Sequence, residues 1–71
     1  MEGKILPLAA MEKLLKKAGA DRVSEDAKVA LKDVLEDYAE TIGMQAAKIS
    51  KHSGRKTVKA GDVKLAAKQE L

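Results

Sequence analysis

The sequence predicts an all-α fold: a short helix, a loop, a long central helix, a second loop and a short closing helix. Apolar residues recur at helical spacing through three segments, about residues 6–18, 25–52 and 60–69. The middle segment runs 28 residues without a proline, about 42 Å at the usual helical rise. Two short neighbours in the same chain cannot cover a helix that long, whereas two copies crossing near their midpoints cover each other. The chain has 71 residues and no cysteine, so its small core has no disulfide or thiolate-bound metal to assist it. A partner chain is the support that remains. The expectation is an obligate dimer with one domain per chain, residues 1–71.

In the first segment Pro7 suits the opening turn of a helix, where its missing N–H would go unpaired anyway. Leu8, Met11, Leu14, Leu15 and Ala18 follow at helical spacing, with Lys13, Lys16 and Lys17 between them, and Gly19 is placed to end the helix. Ser24 is a good N-cap for the second helix, and Glu25 and Asp26 put negative charge in its first turn, where the helix dipole favours it. From there Ala27, Leu31, Val34, Leu35, Tyr38, Ile42, Ala46 and Ile49 make one apolar stripe. Gly43 inside this segment costs about 1 kcal/mol, so tertiary contact must support the helix there. The midpoint of the segment falls at residues 38–39, beside Tyr38, the largest apolar side chain available. Leu31, Leu35, Tyr38 and Ile42 are therefore the expected dimer core. Ser53 to Val58 form a basic turn, and Lys59-Ala60-Gly61-Asp62 open the third helix, with Val63, Ala66 and Ala67 on one side.

Charge and composition exclude several function classes. Fourteen lysines and arginines against eleven acids give +3 per chain, a pI near 9.3 and +6 for two copies. That balance suits a polyanionic partner. Tyr38 is the only aromatic residue, so stacking platforms for single strands or RNA are not available. One histidine, His52, cannot build a zinc site without several carboxylates, and no cofactor is expected. No nucleophile–base pair or carboxylate cluster sits in a recognisable frame, which argues against an enzyme. No apolar run reaches the length of a membrane span, and Met1 to Lys4 lead straight into an amphipathic segment with no visible signal peptide. A soluble cytoplasmic protein with no membrane partner is expected.

Three stretches carry a family resemblance: Leu6-Pro7-Leu8 opening the first helix, Ala18 to Ser24 (AGADRVS) at the first loop, and His52 to Ala60 (HSGRKTVKA) at the second, with Asp62 following. Set at these distances across an uninterrupted helix, they resemble the archaeal histones and the histone fold generally, over about residues 6–67. The resemblance implies a handshake homodimer whose long helices cross antiparallel, bringing the first loop of one chain beside the second loop of its partner. Val23 and Val58 would pair there in a short bridge of strand. It also implies a chromatin protein of the nucleoid that wraps and compacts double-stranded DNA. Pairing with a paralogous histone stays open as an alternative to self-pairing. Only a few residues lie outside the fold at either end, and no basic tail is expected.

The same resemblance assigns the residues. An arginine at the position of Arg22 enters the minor groove beside a threonine of the partner's second loop, which corresponds to Thr57; a planar, weakly hydrated cation suits a narrow groove of concentrated negative potential. Taken alone, Arg22 reads as a surface arginine or a salt bridge to Asp21. Lys56 next to Thr57 is expected on phosphate, helped by backbone N–H groups of the paired loops. Lys13 matches a phosphate-contacting position, Lys16 follows as a weaker candidate and Lys17 as a weaker one still. Arg55 and Asp62 correspond to an ion pair that shapes the second loop. Glu12 beside Lys13, and lysines where the family has arginine, are departures that lower the expected affinity.

Dimers are expected to join end to end into tetramers or longer arrays through Ile49, His52, Asp62 and Leu65, an apolar centre with a histidine–aspartate pair. The bland reading of His52 is a cation at a helix C-terminus. Gly19 would let turns of a superhelix approach closely, and Asp33 and Asp37 could meet Lys64 and Lys68 between turns. Two other function classes remain beside DNA packaging. One is a histone-fold module that heterodimerises inside a transcription complex, which would have no need for the arginine, lysine and threonine of the loops. The other is a helix-turn-helix regulator, which the 28-residue helix disfavours.

Overall fold

In the computed structural model, which describes residues 6–70, three helices follow one another: α1 (Leu8–Lys17), α2 (Glu25–His52) and α3 (Ala60–Glu70). No strand occurs among the described residues, and none of their helices is long and apolar enough to cross a membrane. The chain divides into two compact units, one ending at Asp37 and the other beginning at Tyr38, so α2 contributes to both.

The first unit holds α1, the first loop and the start of α2. Pro7 is the N-cap of α1, with φ −76° and ψ 141°, rather than a residue of its first turn. Its ring carries no acceptor for the opening N–H groups, and no side chain caps α1 there. The chain entering the helix is held instead by Glu36, whose Oε2 accepts the Leu6 N–H at 2.7 Å. Met11 is the buried apolar residue of α1, while Leu8 and Leu14 remain exposed. At the far end Gly19 N–H donates to the Lys16 carbonyl and Ala20 N–H to the Leu15 carbonyl, both at 3.0 Å. This pair of bonds closes the last turn and requires a positive φ at the residue after the cap; Gly19 supplies it at +123°. A Cβ at Gly19 would meet nothing within 4 Å, so torsion and not crowding demands the glycine. The next helix starts as expected: Ser24 Oγ accepts the Ala27 N–H at 3.1 Å, which satisfies one of the unpaired donors of the first turn.

The second unit holds the end of α2, the second loop and α3. Its core is Ile42, Ala46 and Ala66, with Ile49 and Ala67 packed against it. Ile42 is thus already buried within one chain. The second loop opens with the same closure as the first. Gly54 N–H donates to the Lys51 carbonyl at 2.9 Å and Arg55 N–H to the Ser50 carbonyl at 3.0 Å, with Gly54 at φ +73°. At the start of α3 the Asp62 carboxylate reaches back to the Lys59 N–H at 2.8 Å, the acidic half of a capping box. The buried face of α3 is Asp62 and Ala66, one turn apart, and Val63 is exposed rather than turned inward with Ala66. The bond to Arg55 described below draws Asp62 into the unit and rotates Val63 outward.

One part of the α2 stripe finds no cover in the single chain. Val34 is 62% exposed and Tyr38 45% exposed, although both lie at the helical spacing of the half-buried Leu31 and Leu35.

Candidate nucleic-acid interface

The second loop is fixed by a compact set of polar contacts. Arg55 Nη2 donates to Asp62 Oδ1 at 2.7 Å and Nη1 to Asp62 Oδ2 at 3.0 Å, a two-pronged contact in which planar guanidinium and carboxylate match in shape as well as charge. Nη1 also donates to the Thr57 carbonyl at 2.9 Å. Asp62 is only 5% exposed. The Arg55 guanidinium, then the Lys59 N–H, hold its carboxyl below the usual carboxylate range, and Asp62 in turn raises the pKa of Arg55. Within the chain Arg55 and Asp62 therefore form the loop-shaping pair that the resemblance implies. Lys56, Thr57 and Val58 stand exposed on the loop so held.

Ser50 is the residue of this loop that sequence reasoning missed. It is buried, with 1% of its surface exposed, and its hydroxyl lies 3.1 Å from the Arg55 carbonyl and 3.0 Å from the Thr57 carbonyl. The available signal was its register: Ser50 follows Ala46 by four residues, on the stripe that buries apolar side chains. A polar residue there must find partners.

On the first loop Arg22 is exposed, Val23 is half-buried, and no ion pair links Arg22 to Asp21 or to any other described residue. The salt-bridge reading of Arg22 therefore finds no support. On α1, Lys13 is exposed, but Lys16 is engaged: its Nζ lies 3.1 Å from Glu12 Oε2. Lys28 of α2 reaches Glu12 Oε1 and Glu25 Oε2, both at 3.2 Å. Lys16 and Lys28 together hold the Glu12 carboxyl below its ordinary range, and Glu12 first, then Glu25, raises the pKa of Lys28. Glu12 thus carries a structural contact between α1 and α2 that sequence spacing did not disclose, because its partner lies 16 residues away.

The remaining candidates are placed as follows. Ile49 and His52 line an open groove with Gln45, Lys48, Lys51 and Gln69, and Leu65 is 47% exposed. Asp62, expected on the same face, is turned inward to Arg55, and its Oδ1 keeps one lone pair beyond the Arg55 bond. Gly19, Asp33, Lys64 and Lys68 are exposed, as is Asp37.

Comparison with known proteins agrees with this arrangement. Residues 4–67 match the family described as histone-like transcription factor (CBF/NF-Y) and archaeal histone. The chain belongs to the archaeal histone family. The archaeal histone HAN1 of Thermococcus zilligii is 56% identical over 63 residues, covering 89% of this chain and 94% of that protein. Probable archaeal histone 3 of Methanocaldococcus jannaschii is 48% identical over 61 residues, covering 86% and 91%. The three helices of this histone are accordingly a histone fold, a fold whose members pair through a handshake of the long helices. Membership in the family also makes this histone a DNA-binding chromatin protein that pairs with other histone chains.

Proposed function

We propose that this histone forms a handshake homodimer that binds, bends and compacts double-stranded DNA with little regard to sequence, and that dimers join end to end into tetramers or longer superhelical arrays. The observation that carries this reading is the state of the two loops. Arg22, Lys56 and Thr57 stand exposed on backbone that glycine-closed helix ends and the Arg55–Asp62 pair hold in one shape. These groups suit phosphates and the minor groove, and none of them belongs to an element that reads base edges, so flexible DNA is favoured over any one sequence. The exposed Val34 and Tyr38 support pairing through α2. Ile49, His52 and Leu65 are the proposed centre of the contact between dimers, and Gly19 with the sets Asp33, Asp37 and Lys64, Lys68 is the proposed contact between successive turns.

Nuclease digestion of mixed-sequence DNA at rising protein concentration tests the proposal. Protected fragments that lengthen in regular steps are expected for arrays of dimers, and protection that stops at a single size means a closed tetramer. A single footprint on one sequence would sink the packaging reading. It would favour a transcription module, the reading that the CBF/NF-Y side of the family keeps open.

The Glu12 contacts lead to a second expectation. Phosphate has to compete with Glu12 for Lys16. Glu12→Gln is expected to tighten DNA binding about threefold and to steepen the dependence of log affinity on log salt by about two per dimer, one released lysine for each copy. Titrations at several salt concentrations measure both. A weaker-binding variant would mean that the contact of Glu12 with Lys28 matters more to the interface than the charge it cancels.

A further inference from the structure

We propose that Ser50 is a positioning residue for DNA, acting through the backbone on either side of Lys56. This inference rests on the proposed role of Lys56 and Thr57 at phosphate. Ser50 lies inside the last turn of α2 and carries no group that reaches solvent, yet it clasps the second loop from two directions. Its carbonyl accepts the Arg55 N–H at 3.0 Å. Its single hydroxyl hydrogen is shared between the Arg55 carbonyl at 3.1 Å and the Thr57 carbonyl at 3.0 Å. Arg55 Nη1 donates to the same Thr57 carbonyl at 2.9 Å, so that oxygen has two donors from inside the fold.

The consequence follows from the planar trans peptide, in which C=O and N–H point in opposite directions; no cis bond occurs among the described residues. The Arg55 carbonyl shares its peptide with the Lys56 N–H, and the Thr57 carbonyl shares its peptide with the Val58 N–H. Pulling both oxygens inward to Ser50 turns both N–H groups away from the unit. Neither N–H meets an acceptor among the described residues. Ser50 thereby aims two fixed donors outward and fixes the point from which the Lys56 side chain departs. The Arg55–Asp62 pair alone restrains the Thr57 carbonyl but leaves the Arg55 carbonyl, and with it the Lys56 N–H, without this inward bond.

A double-mutant cycle on the full-length protein tests this, with Ser50→Ala, Lys56→Gln and the double variant titrated onto a mixed-sequence duplex across a salt series. Melting and sedimentation establish that each variant folds and pairs. Ser50→Ala is expected to weaken binding roughly tenfold and to flatten the salt dependence, although Ser50 itself touches no phosphate. The double variant is expected to lose less than the product of the two single losses, because both act on the same contact. Ser50→Thr, which keeps the hydroxyl, is expected to restore the salt dependence. If Ser50→Ala does not fold, Ser50→Cys makes the same comparison, since a thiol of similar size is a weak donor. Losses that multiply, or a Ser50→Ala variant that binds like the parent, overturn the proposal. Full binding by Lys56→Gln alone overturns the underlying assignment of Lys56 instead, so the two failures are distinguishable.

Discussion

Tyr38→Asp is expected to turn a folded dimer into unfolded chains. Tyr38 sits at the midpoint of α2 with nearly half its surface in water, and Val34, one turn before it, is more exposed still. In the proposed handshake both side chains are covered by the partner helix. A symmetric crossing brings two copies of Tyr38 together, so one substitution removes two buried rings and places two carboxylates where they stood. Truncating a large buried aromatic typically costs about 3–5 kcal/mol, and two of them approach the whole stability of a domain, about 5–15 kcal/mol. Desolvating the new charges adds to that. Circular dichroism melting and sedimentation velocity measure the outcome. A variant that remains a dimer with an unchanged Tm would exclude a crossing at this point.

Arg22→Ala is expected to leave that dimer intact and weaken its hold on any duplex by about 10- to 100-fold, with the salt dependence flattened by about two per dimer. The side chain is exposed and has no ion-pair partner among the described residues, so its removal costs the fold little. Its value lies in DNA: a guanidinium enters a narrow minor groove where the negative potential is concentrated, and a lysine at the same place recovers only part of the effect because its compact ammonium is more strongly hydrated. Duplexes of several compositions should lose affinity together. Loss confined to one sequence would mean that Arg22 reads bases rather than the groove.

The parts of the fold that were legible in the sequence are those governed by local signals. Ser24 caps α2, Gly19 and Gly54 follow the ends of α1 and α2, and an unbroken 28-residue helix stands between the loops. Each depends on torsions and hydrogen bonds within a few residues. Pro7 was the local signal that misled, since a proline fits the N-cap and the first turn almost equally well, and the chain ahead of it was tied down by the distant Glu36. Arg55–Asp62 was legible only through the family resemblance, because a spacing of seven across a loop has no fixed geometry of its own. The contacts of Glu12 with Lys28 and of Ser50 with the loop carbonyls were not legible: spacing cannot say which polar residue of a helix faces a neighbour and which faces water. Val63 shows the same limit from the apolar side, because a bond made by Asp62 decided which face of α3 turned inward.

The uncovered centre of α2 has a consequence for supply. Where two chains must meet before either is finished, mass action makes the population of dimers rise as the square of free chains while those chains are scarce. Halving the pool leaves a quarter of the dimers, and an array built by adding dimers to dimers sharpens the response further. Compaction by such a protein answers to its rate of synthesis far more steeply than in simple proportion, and DNA that gathers dimers along its length protects them from falling apart.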